Sequence, residues 1–170
     1  WNIFGAGVFG SLINLPIVNY YEHATYMTGN HAHAAMFGVK GNIALGGMLF
    51  CGQHLLPKAL WNEKLIKTSF WSLQIGLLMM MTMDLFPIGM YQLMIVFQEG
   101  LWYARSQEIL TGPVWRFFTY ARSIGGTLFI VGGVFPLIWL FVSRAGSLRK
   151  ETPELEQEGE WTVYEKDWAA

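Results

Sequence analysis

Four long apolar runs organise this chain, over about 1–20, 31–56, 68–97 and 115–142, with polar residues collected between and after them. A membrane-spanning helix needs about 20 mostly apolar residues. The pattern therefore predicts an all-α fold, a polytopic transmembrane helical bundle of about four spanning helices. The third run is long for a hydrocarbon core of ~30 Å and contains Pro87, so it is expected to tilt or kink. Residues 1–143 read as the transmembrane unit. Residues 144–170 carry Glu151, Glu154, Glu156, Glu158 and Glu160 and read as a polar, acidic, solvated tail.

Composition strengthens the membrane reading. Of 170 residues, 53% are hydrophobic and only 14% charged, with 8 Trp, 12 Phe and 19 Gly. Glycine and interfacial aromatics are enriched in transmembrane helices. The net charge of -1 gives no basic surface for a nucleic-acid partner. A lone Cys51 rules out a disulfide within the chain and reads as a small packed residue. The chain opens at Trp1 without Met or a basic leader, so it reads as the tail end of something longer.

Charge in the connections predicts the orientation. Lys58, Lys64 and Lys67 lie between the second and third runs, and Arg144, Arg149 and Lys150 follow the fourth. Cytoplasmic loops carry the excess of Lys and Arg. The connection at 21–30 has Glu22 and neither Lys nor Arg, while that at 98–114 sets Arg105 against Glu99 and Glu108. Both should face outward, leaving the carboxy terminus in the cytoplasm.

Three features carry candidate chemistry. Gly5-Ala6-Gly7-Val8-Phe9-Gly10 matches a dinucleotide fingerprint by letter, but that motif needs a preceding strand and a later acidic residue in a βαβ unit. Here it reads as a helix-packing surface. Lys40 and Asp84 are charges inside spans, suited to an ion pair, a wet cavity or a proton route. Most telling is Asn30-His31-Ala32-His33 at the head of the second run. Residues two apart on a helix diverge by about 200°. His31 and His33 therefore face opposite flanks, either as interfacial hydrogen-bonding residues or as ligands to two separate metal centres.

The stretch Asn19-Tyr20-Tyr21-Glu22-His23-Ala24-Thr25-Tyr26-Met27-Thr28-Gly29-Asn30-His31-Ala32-His33 resembles the loop and tenth helix of the haem-copper oxidase superfamily. Leu15-Pro16-Ile17-Val18-Asn19-Tyr20 and Ala34-Ala35-Met36-Phe37-Gly38 resemble its nitric oxide reductase branch. Leu85-Phe86-Pro87-Ile88-Gly89-Met90-Tyr91-Gln92 is similar to the quinol-dependent reductases of that branch. The resemblance covers about residues 1–143. It implies that His31 is the proximal, catalytic-site ligand of a high-spin haem b and His33 an axial ligand of a low-spin haem b. It implies also that His23 lies near the haem propionates, with Arg105, Arg116 and Arg122 on that outward side. An Arg can pair bidentately with a carboxylate, so at least one of the three is expected to neutralise a propionate. His54, at the far end of the run, matches no ligand.

The implied enzyme couples two NO to nitrous oxide and water at a haem beside a non-haem iron, with electrons from quinol or another donor. Ligands to that second iron, and the other low-spin haem histidine, come from earlier helices and are not among the four histidines here. The resemblance thus implies the carboxy-terminal helices of a larger catalytic subunit. Its partners would be the remaining helices, the lipid of a bacterial inner membrane and, as one allowed arrangement, a second copy in a homodimer. One departure matters: Arg122-Ser123-Ile124-Gly125-Gly126 has glycine where the quinol branch carries an aspartate. Dismutation of NO on the same scaffold is therefore kept as an alternative. A terminal oxygen reductase, and a haem-free transporter segment using Gly41, Gly46 and Gly47, remain further readings.

Overall fold

A computed structural model describes residues 1–55 and 61–143. The acidic tail at 144–170 and its basic residues lie outside the described residues, as does Lys58. Helices account for the architecture: α1 (Asn2–Ile13), α2 (Pro16–Glu22), α3 (Tyr26–Leu55), α4 (Glu63–Glu99), α5 (Gln107–Leu110) and α6 (Pro113–Ser143). By length and apolar composition α3, α4 and α6 can each cross a membrane. The fourth crossing exists only if α1 and α2 count as one bent span.

That bend corrects the expectation of an uninterrupted first span, since α1 and α2 meet at 96°. Pro16 is the cause. Its ring disfavours the helical region for the residue before it, and Leu15 is extended, with φ -64 and ψ 127. Two asparagine side chains occupy carbonyls at the break: Asn14 donates to the Gly10 carbonyl at 2.6 Å and Asn19 to that of Ile13 at 3.0 Å. A polar group freed in lipid is costly unless satisfied in this way.

Pro87 acts differently. Helix α4 runs through it as one helix of 37 residues. Immediately before it, Met81–Leu85 winds as a wider π-helix. Such a turn re-registers the backbone where proline can neither donate a hydrogen bond nor tolerate the usual carbonyl beneath it. At about 1.5 Å per residue, α4 is ~55 Å long and exceeds the hydrocarbon core unless tilted.

Helix α4 is the hub. Of its most apolar stretch 39% is buried, against 22% in α6 and only 11% in α3. It meets α6 where two glycines face one another. A Cβ on Gly76 would lie 2.8 Å from the Gly125 carbonyl oxygen, and one on Gly125 2.9 Å from that of Gly76. A polar chain ties the opposite side together: Trp1 Nε1 donates to Gln74 Oε1 at 2.7 Å, and Gln74 Nε2 donates to Asn42 Oδ1 at 2.7 Å. Beyond these contacts, large side chains such as Phe4, Tyr20, Met36 and Trp139 are exposed, as lipid or further helices would require. Cys51 is exposed as well, not packed as expected, because it lies on the thinly covered α3.

Candidate metal centre

The site begins with how α3 starts. Ala24 takes a left-handed φ of 59, reversing the chain after α2. Thr25 then caps α3: its hydroxyl donates to the Glu22 carbonyl at 2.7 Å and accepts from the Met27 amide at 3.3 Å. Gln92, buried on α4, closes the first turn. Its Oε1 accepts from the Tyr26 amide at 2.9 Å and its Nε2 donates to the Ala104 carbonyl at 3.0 Å. Gly89 brings α4 close, since a Cβ there would lie 2.7 Å from the Met27 nitrogen. Tyr26 packs edge-on against Trp115 of α6, with centroids 4.8 Å apart. The first turn of α3 is thus held from three sides, about two turns ahead of the histidines.

His31 and His33 diverge onto different neighbours. His31 turns to α1: its Nδ1 is 3.0 Å from the Gly5 carbonyl oxygen, and a Cβ on Gly10 would lie 2.9 Å from its Cε1. His33 lies on the side of Asp84 and feels its charge, while its Nδ1 is 2.8 Å from the Gly29 carbonyl oxygen. A carbonyl can only accept, so the neutral ring carries its hydrogen on Nδ1 and keeps the Nε2 lone pair. Histidine ligands to metals are commonly held through the other ring nitrogen in this way. Both rings therefore offer Nε2 to an external acid, and neither Nε2 has a partner among the described residues.

The other predicted residues are placed as follows. His23 is exposed in the turn between α2 and α3. Arg105 clamps that turn, its Nη2 donating to the carbonyls of His23 at 3.3 Å and Ala24 at 3.2 Å. Arg116 is exposed near the start of α6. Arg122 pairs with Asp84, Nη1 to Oδ2 at 3.4 Å. Asp84 thus meets Arg122, and Lys40 is exposed on α3 with no ion pair among the described residues. His54 bonds the Phe50 carbonyl of its own helix at 2.8 Å. No group of three or more His, Cys, Asp or Glu suited to hold a metal ion occurs among the described residues. A haem iron asks for only one such ligand per ring, so His31 and His33 fit the donor chemistry.

A protein family described as cytochrome C and quinol oxidase polypeptide I matches residues 1–128, which include both histidines. This chain belongs to that family. Among the relatives of this oxidase polypeptide, a subunit of nitric oxide reductase from Stutzerimonas stutzeri is 27% identical over 135 residues. That alignment covers 75% of this chain and 27% of the relative, so the chain spans about a quarter of that protein's length. Family membership bears out the resemblance read from the His31–His33 stretch, and the helices bear out the membrane bundle. Sequence reading missed Gly5, Gly10 and Gln92 as supports of the site. The glycine motif at 5–10 was a signal for α1 packing, and Gly5 does abut Ala34. Its carbonyl service to His31 left no mark in the letters.

Proposed function

We propose that this chain is the carboxy-terminal helical portion of the catalytic subunit of a nitric oxide reductase. The reaction is 2 NO + 2 e⁻ + 2 H⁺ → N₂O + H₂O. One observation carries the reading: two imidazoles on one helix diverge, each tied through Nδ1 to a backbone carbonyl and each keeping Nε2 free. His31 would hold the high-spin haem b of the catalytic site and His33 the low-spin haem b that relays electrons. When bound, the haems supply one-electron transfer and an iron for NO. The chain's own part is to fix both ligands to one rigid rod, so that the two sites keep a constant separation. The non-haem iron would be held by residues of other helices.

His23 and Arg116, exposed on the outward side, are the residues placed to meet haem propionates. Arg105 contributes by holding the His23 turn. Arg122 is committed to Asp84. The exposed Lys64 and Lys67 at the start of α4 support a cytoplasmic second connection, with the histidines toward the periplasmic side of a bacterial inner membrane.

In the full catalytic subunit, His33→Ala should abolish the low-spin haem spectrum. His31→Ala should eliminate NO turnover while sparing much of the relay haem. Normal NO consumption by either variant overturns the assignment. A second reading, dismutation of 2 NO to N₂ and O₂, is favoured by Gly126. A Cβ there would meet nothing nearer than Met80 Sδ at 3.9 Å, so packing does not demand glycine where the quinol branch has aspartate. Isotope-labelled NO separates the two: labelled N₂O with consumption of quinol supports reduction, and labelled N₂ with O₂ supports dismutation.

A further inference from the structure

Asp84 is the most deeply buried charge among the described residues. Its side chain has no exposed surface, and neither carboxylate oxygen has a hydrogen-bond partner. Its one ion-pair partner is Arg122 of α6, 3.4 Å away and 39% exposed. His33 of α3 also lies within reach of its charge. Three helices thus bring a carboxylate, a guanidinium and an imidazole to one level. Arg122 is about 14 Å along α6 from Pro113 and His33 about 10 Å along α3 from Tyr26, at ~1.5 Å per residue.

Cohesion does not explain this pair. A buried ion pair rarely stabilises more than an apolar contact of the same volume, because desolvation offsets the attraction. Next to it α4 and α6 already meet closely through Gly76 and Gly125. The pair is also lopsided. Arg122 reaches its surroundings, whereas the carboxylate is sealed and bare, so the negative member is the less screened. In a low-dielectric interior such a charge acts over several ångströms. His33 does not bond to it, because the ring is held by the Gly29 carbonyl, so the influence runs through the field.

We propose that Asp84 and Arg122 form an electrostatic tuning pair for the redox group held by His33, Asp84 lowering its midpoint potential and Arg122 partly offsetting that effect. The proposal rests on His33 as ligand of the low-spin haem. A nearby anion favours the oxidised iron, which carries one more positive charge; a nearby cation favours the reduced one. The pair thus sets how readily this relay yields its electron to the catalytic site.

The test is a spectroelectrochemical titration of the low-spin haem in the full catalytic subunit. Asp84→Asn should raise the midpoint, Arg122→Gln should lower it, and the double variant should fall between them. Loosened packing would move both single variants the same way, so opposite signs distinguish charge from structure. Asp84→Glu, which keeps the charge, should stay near the wild-type value, and Arg122→Gln carries the sign if Asp84→Asn does not assemble. Unchanged midpoints, or shifts in one direction for both, overturn the tuning role alone. A wild-type protein without low-spin haem overturns the haem assignment beneath it.

Discussion

Two side chains determine whether the histidines stand where a metal can reach them. Gln92 serves the Tyr26 amide and the Ala104 carbonyl together. Replacing it with Leu leaves both buried groups unpaired, at a cost of ~1–3 kcal/mol each. The expected outcome is a lower unfolding temperature of the membrane protein with reduced haem content, read by absorbance on heating. Gly10 has the sharper local effect, because a Cβ would lie 2.9 Å from the His31 ring. Gly10→Val should displace that imidazole and perturb the high-spin haem spectrum while leaving the low-spin signal near normal. Equal loss of both signals would show that Gly10 serves general packing instead.

At the scale of elements, the contact of α4 with α6 depends on backbones approaching without side chains between them. Gly125→Ala places a methyl 2.9 Å from both the Gly76 carbonyl oxygen and the Met80 nitrogen. Backbone cannot rotate away as a flexible side chain can, so the helices must separate. Overpacking of this kind costs typically ~1–3 kcal/mol. The variant should therefore show reduced thermal stability in detergent, and it should weaken the Asp84–Arg122 pair that spans the same interface. Element boundaries were largely legible in advance. The apolar runs read at 31–56, 68–97 and 115–142 became helices ending at Leu55, Glu99 and Ser143. The first run was not legible as a bend, because hydropathy averages over Pro16 whereas the backbone cannot.

For the whole molecule, the decisive fact is how little of α3 is covered. Only 11% of its most apolar stretch is buried, although it carries both candidate ligands. A spanning helix with polar and imidazole groups gains its order from neighbours, since lipid offers no hydrophobic drive between helices. This segment expressed alone should bind no haem with native spectra. Co-expression with the preceding helices of its own catalytic subunit should restore both haem signals, and full haem binding by the segment alone would contradict the reading. Orientation belongs to this scale too: a reporter fused after Ala170 should be active in the cytoplasm and silent in the periplasm.

Local quantities were available from the letters alone. Apolar length dictates a membrane helix because every backbone polar group must be satisfied within it, and two-residue spacing dictates that His31 and His33 diverge because of the helical turn. The family was legible for the same reason, since its most specific residues are contiguous from Asn19 to His33. Packing decided everything that joins distant segments. His31 finds its carbonyl 26 residues away on α1, Arg105 holds a turn 82 residues upstream, and Asp84 chose Arg122 over Lys40. Such pairings follow from which faces of separate helices come together. Spacing along one helix carries no record of the next.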